Sequence, residues 1–64
     1  MAKEFKLVIE CSNEAFSDNP SYEVVRILRA VVKRIDEGNT AGILRDVNGN
    51  RVGTFEYVDR KENL

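Results

Sequence analysis

The longest periodic stretch of the chain, residues 20–38, predicts one amphipathic α-helix. Its apolar residues follow the spacing of one helical face with two borders: Val24, Leu28, Val31 and Ile35 on the face, and Val25, Ile27 and Val32 beside it. Asn19 is a favourable N-cap residue, and Pro20 suits the first turn, where its missing N–H costs nothing. Gly38 supplies the left-handed residue that commonly ends a helix.

Three other stretches alternate apolar and polar residues, which predicts strands over residues 5–11, 42–47 and 51–59. The order of elements is therefore β-α-β-β. We expect an α+β fold in which one helix packs on a three-stranded, mainly antiparallel sheet. The third strand should run antiparallel to the other two, at either the centre or the edge of the sheet.

The last two strands are predicted to form a hairpin, because Asn48 and Gly49 separate two β-prone segments. A two-residue type I′ turn at this pair would place Asp46 opposite Arg51. It would also place Leu44 opposite Gly53.

Alternation along the strands assigns side chains to two faces of the sheet. Phe55 and Tyr57 are expected to pack on the helix together with Leu44. The opposite, outer face carries a mixed set of residues that we interpret as a candidate protein-binding surface: Arg45, Val52, Thr54 and Glu56, with the nearby apolar Val8, Ile43 and Val58.

Two further apolar features each have two interpretations. Phe16 lies in a polar connection, where its ring either closes one end of the core or contacts a partner. The predicted helix has a wide apolar stripe, which a small domain can use for its core. In the second interpretation, Ile27 or the Val25/Val32 border lies in an interface with a partner or second subunit.

The length of 64 residues fits a single domain, 1–64, with an ordered core of about 4–59 and a flexible C-terminal tail, 60–64. The apolar run near the N-terminus is too short for a membrane span or a secretory signal. Dimerisation would help to stabilise so small a core.

The composition argues against an enzyme or a metal site. There is no histidine, and the carboxylates do not follow a catalytic or metal-ligand spacing. The single cysteine, Cys11, excludes an intrachain disulfide, which favours a reducing, cytoplasmic setting. We expect Cys11 to be a small apolar core residue, and we predict no catalytic residue and no cofactor.

A nucleic-acid-binding function is the alternative to protein binding. It would use a basic side of the helix, formed by Arg26, Arg29, Lys33 and Arg34. Ten Lys and Arg against eleven Asp and Glu give a formal net charge of −1. This near-neutral balance provides no general attraction for nucleic acid.

Residues 5–57 resemble the short uncharacterised open reading frames of tailed phages and prophages. The resemblance lies in an acidic loop after the first strand, the run EVxRILR in the helix and the run RDxNGNxVG in the hairpin. It implies a non-enzymatic accessory or inhibitor protein that binds a host or phage protein in the bacterial cytoplasm. An anti-defence factor, such as an anti-CRISPR-like protein, is one form of that function. The resemblance assigns no catalytic or binding residue.

Overall fold

One helix lies on one face of a three-stranded antiparallel sheet in the computed structural model, which describes residues 2–60. The elements in chain order are β1 (Ala2–Ile9), a short 3₁₀ helix (Glu14–Phe16), α1 (Pro20–Asp36), β2 (Ala41–Arg45) and β3 (Arg51–Arg60). The predicted α+β class and the β-α-β-β order are confirmed.

The strand order is β1-β3-β2, so β3 is central and pairs antiparallel with both neighbours. Phe55 of β3 lies opposite Leu7 of β1 and Gly42 of β2, which places these residues in one row across the sheet. β3 runs through Arg60, and residues 61–64 of the predicted tail lie outside the described residues.

Both ends of α1 are formed as the sequence predicts. The side-chain oxygen of Asn19 accepts a hydrogen bond of 3.0 Å from the Tyr22 N–H, and Pro20 occupies the first turn. After the helix, Gly38 adopts a positive φ of 98° and its N–H donates to the Ile35 carbonyl. The last carbonyls of a helix have no partner within the helix, and the N–H of the left-handed Gly38 satisfies one of them.

The core lies between α1 and the helix-facing side of the sheet. Its buried members come from every element except β1: Phe16, Ile27, Val31, Leu44, Val52 and Phe55. Phe16 is only 2% exposed, so its ring closes one end of the core, as the first of the two interpretations predicted. Burial of six apolar side chains supplies most of the free energy that folds this domain.

The buried side of α1 matches the predicted face only in part: Val31 is buried and Val24 and Ile35 pack against the core, as predicted. Ile27 and Val31 are buried together with the carboxylate residue Glu23, whereas Leu28 and Val32 are exposed. The prediction for Leu28 is therefore wrong, and Ile27 belongs to the core and not to an interface. Polar side chains of α1 bond to β2, and this contact rotates the helix relative to the face that periodicity alone indicates.

A β-bulge in β3 changes the direction of Val52. Leu44 pairs with Gly53, but the next residue of β2, Arg45, pairs with Arg51, so Val52 is an extra residue in β3. Val52 is 5% exposed and belongs to the core, although strict alternation places it on the outer face with Thr54. The sequence-based assignment of Val52 to an exposed binding surface is wrong for this reason.

The hairpin forms at the predicted place but with a longer loop. The Gly49 N–H donates to the Asp46 carbonyl, and the Asp46 N–H donates to the Asn50 carbonyl. Gly49 has a φ of 85°, and no residue other than glycine has a positive φ among the described residues. A type I′ turn needs a positive φ at Asn48 as well, so the loop has three residues, and the predicted Asp46–Arg51 pair does not form.

The two aromatic residues of β3, Phe55 and Tyr57, differ in their burial. Phe55 is buried under α1, but Tyr57 is largely exposed and its ring packs edge-on against Phe5, with a centroid distance of 5.1 Å. The predicted packing of Tyr57 on the helix is wrong, because the β1–β3 ladder continues beyond the part of the sheet that the core residues of α1 cover. Phe5 and Tyr57 form a partly exposed aromatic pair on the helix-facing side.

Candidate protein-binding surfaces

Two arginines of α1 bond to backbone carbonyls at the free edge of β2. Arg34 Nη1 donates to the Ile43 carbonyl at 2.7 Å, and Arg26 Nη2 donates to the Arg45 carbonyl at 3.2 Å. The guanidinium of Arg34 also lies 5.1 Å from the centre of the Phe55 ring. These contacts explain why the helix lies towards β2, and they satisfy backbone groups that an edge strand otherwise leaves for another chain.

Glu23 connects α1 to the hairpin loop. Its carboxylate accepts two hydrogen bonds of 2.9 Å from Arg26 and one of 2.8 Å from the Val47 N–H, and the residue is 3% exposed. The hydrogen bonds from Arg26 hold the pKa of Glu23 below its ordinary value, against the opposing effect of burial. A charged, fully partnered carboxylate thus joins the first turns of α1 to the loop.

Asp46 organises the loop from inside. Its carboxylate accepts hydrogen bonds from the N–H groups of Asn48 and Asn50 at 2.9 Å and from the Asn13 side chain at 2.6 Å. Burial favours a raised pKa for Asp46, but these bonds, together with one from the Asn50 side chain, lower the pKa below its ordinary value. Asp46 therefore acts in folding, and its oxygens are used by the chain itself.

Acid should destabilise the fold through these two carboxylates. The folded-state pKa is lowered from 4.5 for Glu23 and from 3.8 for Asp46. Their stabilising contribution is therefore complete above those values and is lost as the pH falls through the lower folded-state pKa values. We expect the melting temperature to be flat near neutrality and to fall below about pH 4.5, as measured by circular dichroism.

The variant Glu23→Gln tests this assignment. It should melt at a lower temperature than the wild type at pH 7, and its melting temperature should change less between pH 5 and pH 2. Glu56→Gln is the matched control, because Glu56 is exposed on the outer sheet face, and it should keep the wild-type pH dependence. An unchanged pH dependence in Glu23→Gln would show that Glu23 is not responsible.

The principal candidate surface is an exposed apolar stripe on α1, formed by Val25, Leu28 and Val32. The three side chains are 45%, 38% and 67% exposed, and their spacing of three and four residues places them on one side of the helix. The sequence indicated Val25 and Val32 as a border of the stripe, but it assigned Leu28 to the core.

A shallow depression adjoins the C-terminal half of this stripe. It is lined by Val32 and Ile35 and by three charged residues, Arg29, Lys33 and Asp36. An apolar centre with a charged rim is the usual composition of a protein-binding surface. The stripe and the depression together form a surface that suits a protein partner better than a small molecule, because the depression is open to solvent.

The outer sheet face is a second, smaller surface. Thr54 lies between Val8 and Ile43 in one row across the sheet, and Glu56 follows in the next row beside Lys6. Val8 and Ile43 are exposed, whereas Thr54 is half-buried. Of the four residues predicted for this surface, Thr54 and Glu56 lie on it.

The other two members of the predicted outer surface are used differently. Val52 is in the core, as described above. Arg45 is exposed, but its Nη1 donates to the Gly49 carbonyl at 3.0 Å, so this side chain supports the hairpin loop. Phe16, which the sequence also indicated as a possible contact, is buried and does not reach a partner from this conformation.

The basic residues of the alternative nucleic-acid interface divide into two pairs. Arg26 and Arg34 bond to β2, and Arg26 also pairs with Glu23. The side chains of Arg29 and Lys33 make no hydrogen bond or ion pair within residues 2–60, and both border the depression beside Val32. The structure thus leaves two of the four basic side chains available for phosphate contacts.

The remaining candidates for chemistry are the thiol of Cys11 and the carboxylates of the described residues. Cys11 is exposed, so its predicted place in the core is wrong: β1 ends at Ile9, and the thiol follows in the connection. Within residues 2–60 there is no group of three or more His, Cys, Asp or Glu side chains that could hold a metal ion.

Comparison with known proteins gave no match to a family model, to a curated protein or to a solved structure. Among the described residues, no helix has the length and apolar character needed to cross a membrane.

Proposed function

We propose that this protein is a non-enzymatic domain that acts by binding another protein through the helix stripe, Val25, Leu28 and Val32. The observation that carries the proposal is the exposure of this stripe on a domain that already has a complete core. Exposed apolar patches on small domains commonly mark contact surfaces, since their burial in a complex releases free energy.

The charged residues around the stripe support the same function. Arg29, Lys33 and Asp36 border the apolar centre, so the rim carries both signs of charge. Mixed rims select a partner and orient it, whereas binding to nucleic acid favours an extended basic surface. The commitment of Arg26 and Arg34 to the edge of β2 further favours a protein partner.

The finer proposal, based on sequence resemblance, is a phage-type accessory or inhibitor protein. Its partner would be a host or phage protein in the bacterial cytoplasm, and an anti-defence target such as a CRISPR-Cas component is included in that class. The fold supplies no residue that distinguishes these targets.

Capture of a partner from bacterial lysate tests the proposal. The tagged wild-type chain should retain a stoichiometric protein partner with and without nuclease treatment. The double variant Val25→Glu/Val32→Glu should lose that partner, because two carboxylates would be buried in an apolar contact. Both positions are exposed, so the melting temperature should change little.

Thr54→Lys provides the matched control on the outer sheet face. It should keep the partner, whereas loss in Thr54→Lys with retention in the helix variant would assign binding to the outer face. Recovery of nucleic acid alone, or of proteins that nuclease removes, would contradict the protein-binding proposal and favour contacts by Arg29 and Lys33.

A further inference from the structure

The two edges of the sheet differ in how their backbone groups are satisfied. At the β2 edge, side chains of α1 bond to the carbonyls of Ile43 and Arg45 and to the N–H of Val47. The β1 edge is longer, with eight residues, and no helix side chain bonds to it among the described residues. The β1 edge lacks such contacts, so it is the more open of the two edges to pairing with another strand.

Hydrogen bonding inside the sheet determines which groups of β1 point outward. The Glu10 N–H donates to the Val52 carbonyl, continuing the ladder in which Ile9 lies opposite Gly53. Because bonded and non-bonded pairs alternate in an antiparallel ladder, even-numbered residues of β1 bond to β3. The N–H and C=O groups of Phe5 and Leu7 therefore face away from β3. No hydrogen bond within residues 2–60 reaches them.

The side chains at this edge are compatible with a second copy of the same strand. Two-fold antiparallel pairing of β1 with itself must join odd-numbered residues, and the registers that pair at least five residues of β1 have the axis beside Glu4, Phe5, Lys6 or Leu7. An axis at Lys6 places two lysines opposite each other, and an axis at Glu4 does the same with two glutamates. An axis at Leu7 places Glu4 opposite Glu10 of the second copy, so all three of these registers bring like charges together.

The axis at Phe5 has the opposite result. It places Glu4 opposite Lys6 of the second copy, and symmetry repeats this pair on the other side of the axis. Within one chain these residues already lie side by side, with Lys6 Nζ 3.9 Å from Glu4 Oε2, so the four charges would alternate in sign across the axis. Phe5 would meet its symmetry mate, which covers part of the exposed Phe5 and Tyr57 pair.

We propose that the chain forms a two-fold symmetric dimer through the open edge of β1, with the axis beside Phe5. The two three-stranded sheets then become one continuous six-stranded sheet. The two β2 edges, whose carbonyls of Ile43 and Arg45 are capped by arginines of α1, lie at its ends, which opposes the addition of further copies. This interface uses the β1 edge and leaves the helix stripe of each copy for the partner, and it does not depend on the proposed function.

Sedimentation of the full chain from micromolar to millimolar concentration tests the dimer. Wild type should change from monomer to dimer, and Glu4→Lys should weaken the dimer by roughly thirty-fold, because two attractive pairs become repulsive. The double variant Glu4→Lys/Lys6→Glu restores opposite charges and should recover most of the affinity. A wild-type monomer at millimolar concentration would overturn the proposal, as would a double variant that is no better than Glu4→Lys.

Amide hydrogen exchange gives an independent test on the unmodified chain. The N–H groups of Phe5 and Leu7 should exchange rapidly at low concentration and become protected as the dimer forms. Lys6 and Val8 are the internal controls, since their N–H groups bond to β3 in either state. A dimer in which Phe5 and Leu7 remain unprotected would use another surface and would also overturn the proposal. Capture of the partner by the Glu4→Lys variant reports separately on the helix stripe.

Discussion

Phe55→Ala is expected to leave the chain largely unfolded at 37 °C. Phe55 is the most completely buried large side chain, and its ring contacts the helix through Arg34 and the first strand through Phe5. Removal of a buried phenylalanine costs about 3–5 kcal/mol through lost burial and the cavity that remains. A domain of 64 residues has a total stability of roughly 3–10 kcal/mol at the usual value per residue.

Urea unfolding followed by circular dichroism measures this effect. Tyr57→Ala is the matched control, because Tyr57 lies on the same strand and face but is largely exposed. It should lose roughly 1 kcal/mol, since much of its ring already meets solvent. An equal loss in the free energy of unfolding in the two variants would contradict the position of the core. It would mean that α1 buries Tyr57 as fully as it buries Phe55.

Gly53→Ala should be the second most damaging change, although it adds only one methyl group. A Cβ at Gly53 would overlap the backbone carbonyl oxygen of Val8 and would lie 3.2 Å from the Ile9 Cα. These atoms belong to the neighbouring strand, so they cannot move aside without loss of the β1–β3 ladder. Overpacking usually costs about 1–3 kcal/mol, and a backbone clash in the central strand should reach or exceed the upper value.

Gly49→Ala separates this effect from glycine's conformational freedom. Gly49 has a positive φ, but a Cβ there would meet no atom within 4 Å. Its replacement should cost about 1–2 kcal/mol, the penalty for a left-handed alanine. Thermal unfolding of both variants gives the comparison, and a smaller loss in Gly53→Ala than in Gly49→Ala would contradict the close strand contact.

The elements and their order followed from local signals that the sequence contains. Asn19, Pro20 and Gly38 mark the helix because capping depends on residues close to each other in the chain. The pair Asn48 and Gly49 marks the hairpin for the same reason. Such signals act within a few residues and need no knowledge of the tertiary fold.

The side chains at the surfaces were harder to predict, since they depend on contacts between distant elements. The bulge at Val52 reverses the expected alternation, and a single extra residue in a strand leaves no clear mark in the sequence. Glu23 is buried in an apparently amphipathic helix because Arg26 and Val47 bond to it. The exposure of Leu28 follows from the same rotation of α1 towards β2.

The two edges of the sheet differ in their contacts: side chains of α1 bond to the β2 edge, and among the described residues none bond to the β1 edge. This difference is the main structural result that hydrophobic periodicity does not indicate. Arg26 and Arg34 appeared in the sequence as members of a basic, solvent-exposed row. In the fold they bond to carbonyls at the β2 edge, and their charge is used within the domain. The surface that we propose for binding is therefore mainly apolar, and it lies on the helix stripe.

Calorimetric titration of the captured partner against three purified chains tests the proposed protein-binding function most directly. Wild type should bind with one-to-one stoichiometry per chain. Val25→Glu/Val32→Glu should bind at least roughly thirty-fold more weakly, as expected for change at the centre of an interface, and Thr54→Lys should bind like wild type. Undiminished binding by the folded helix variant would contradict the assignment of function to this stripe.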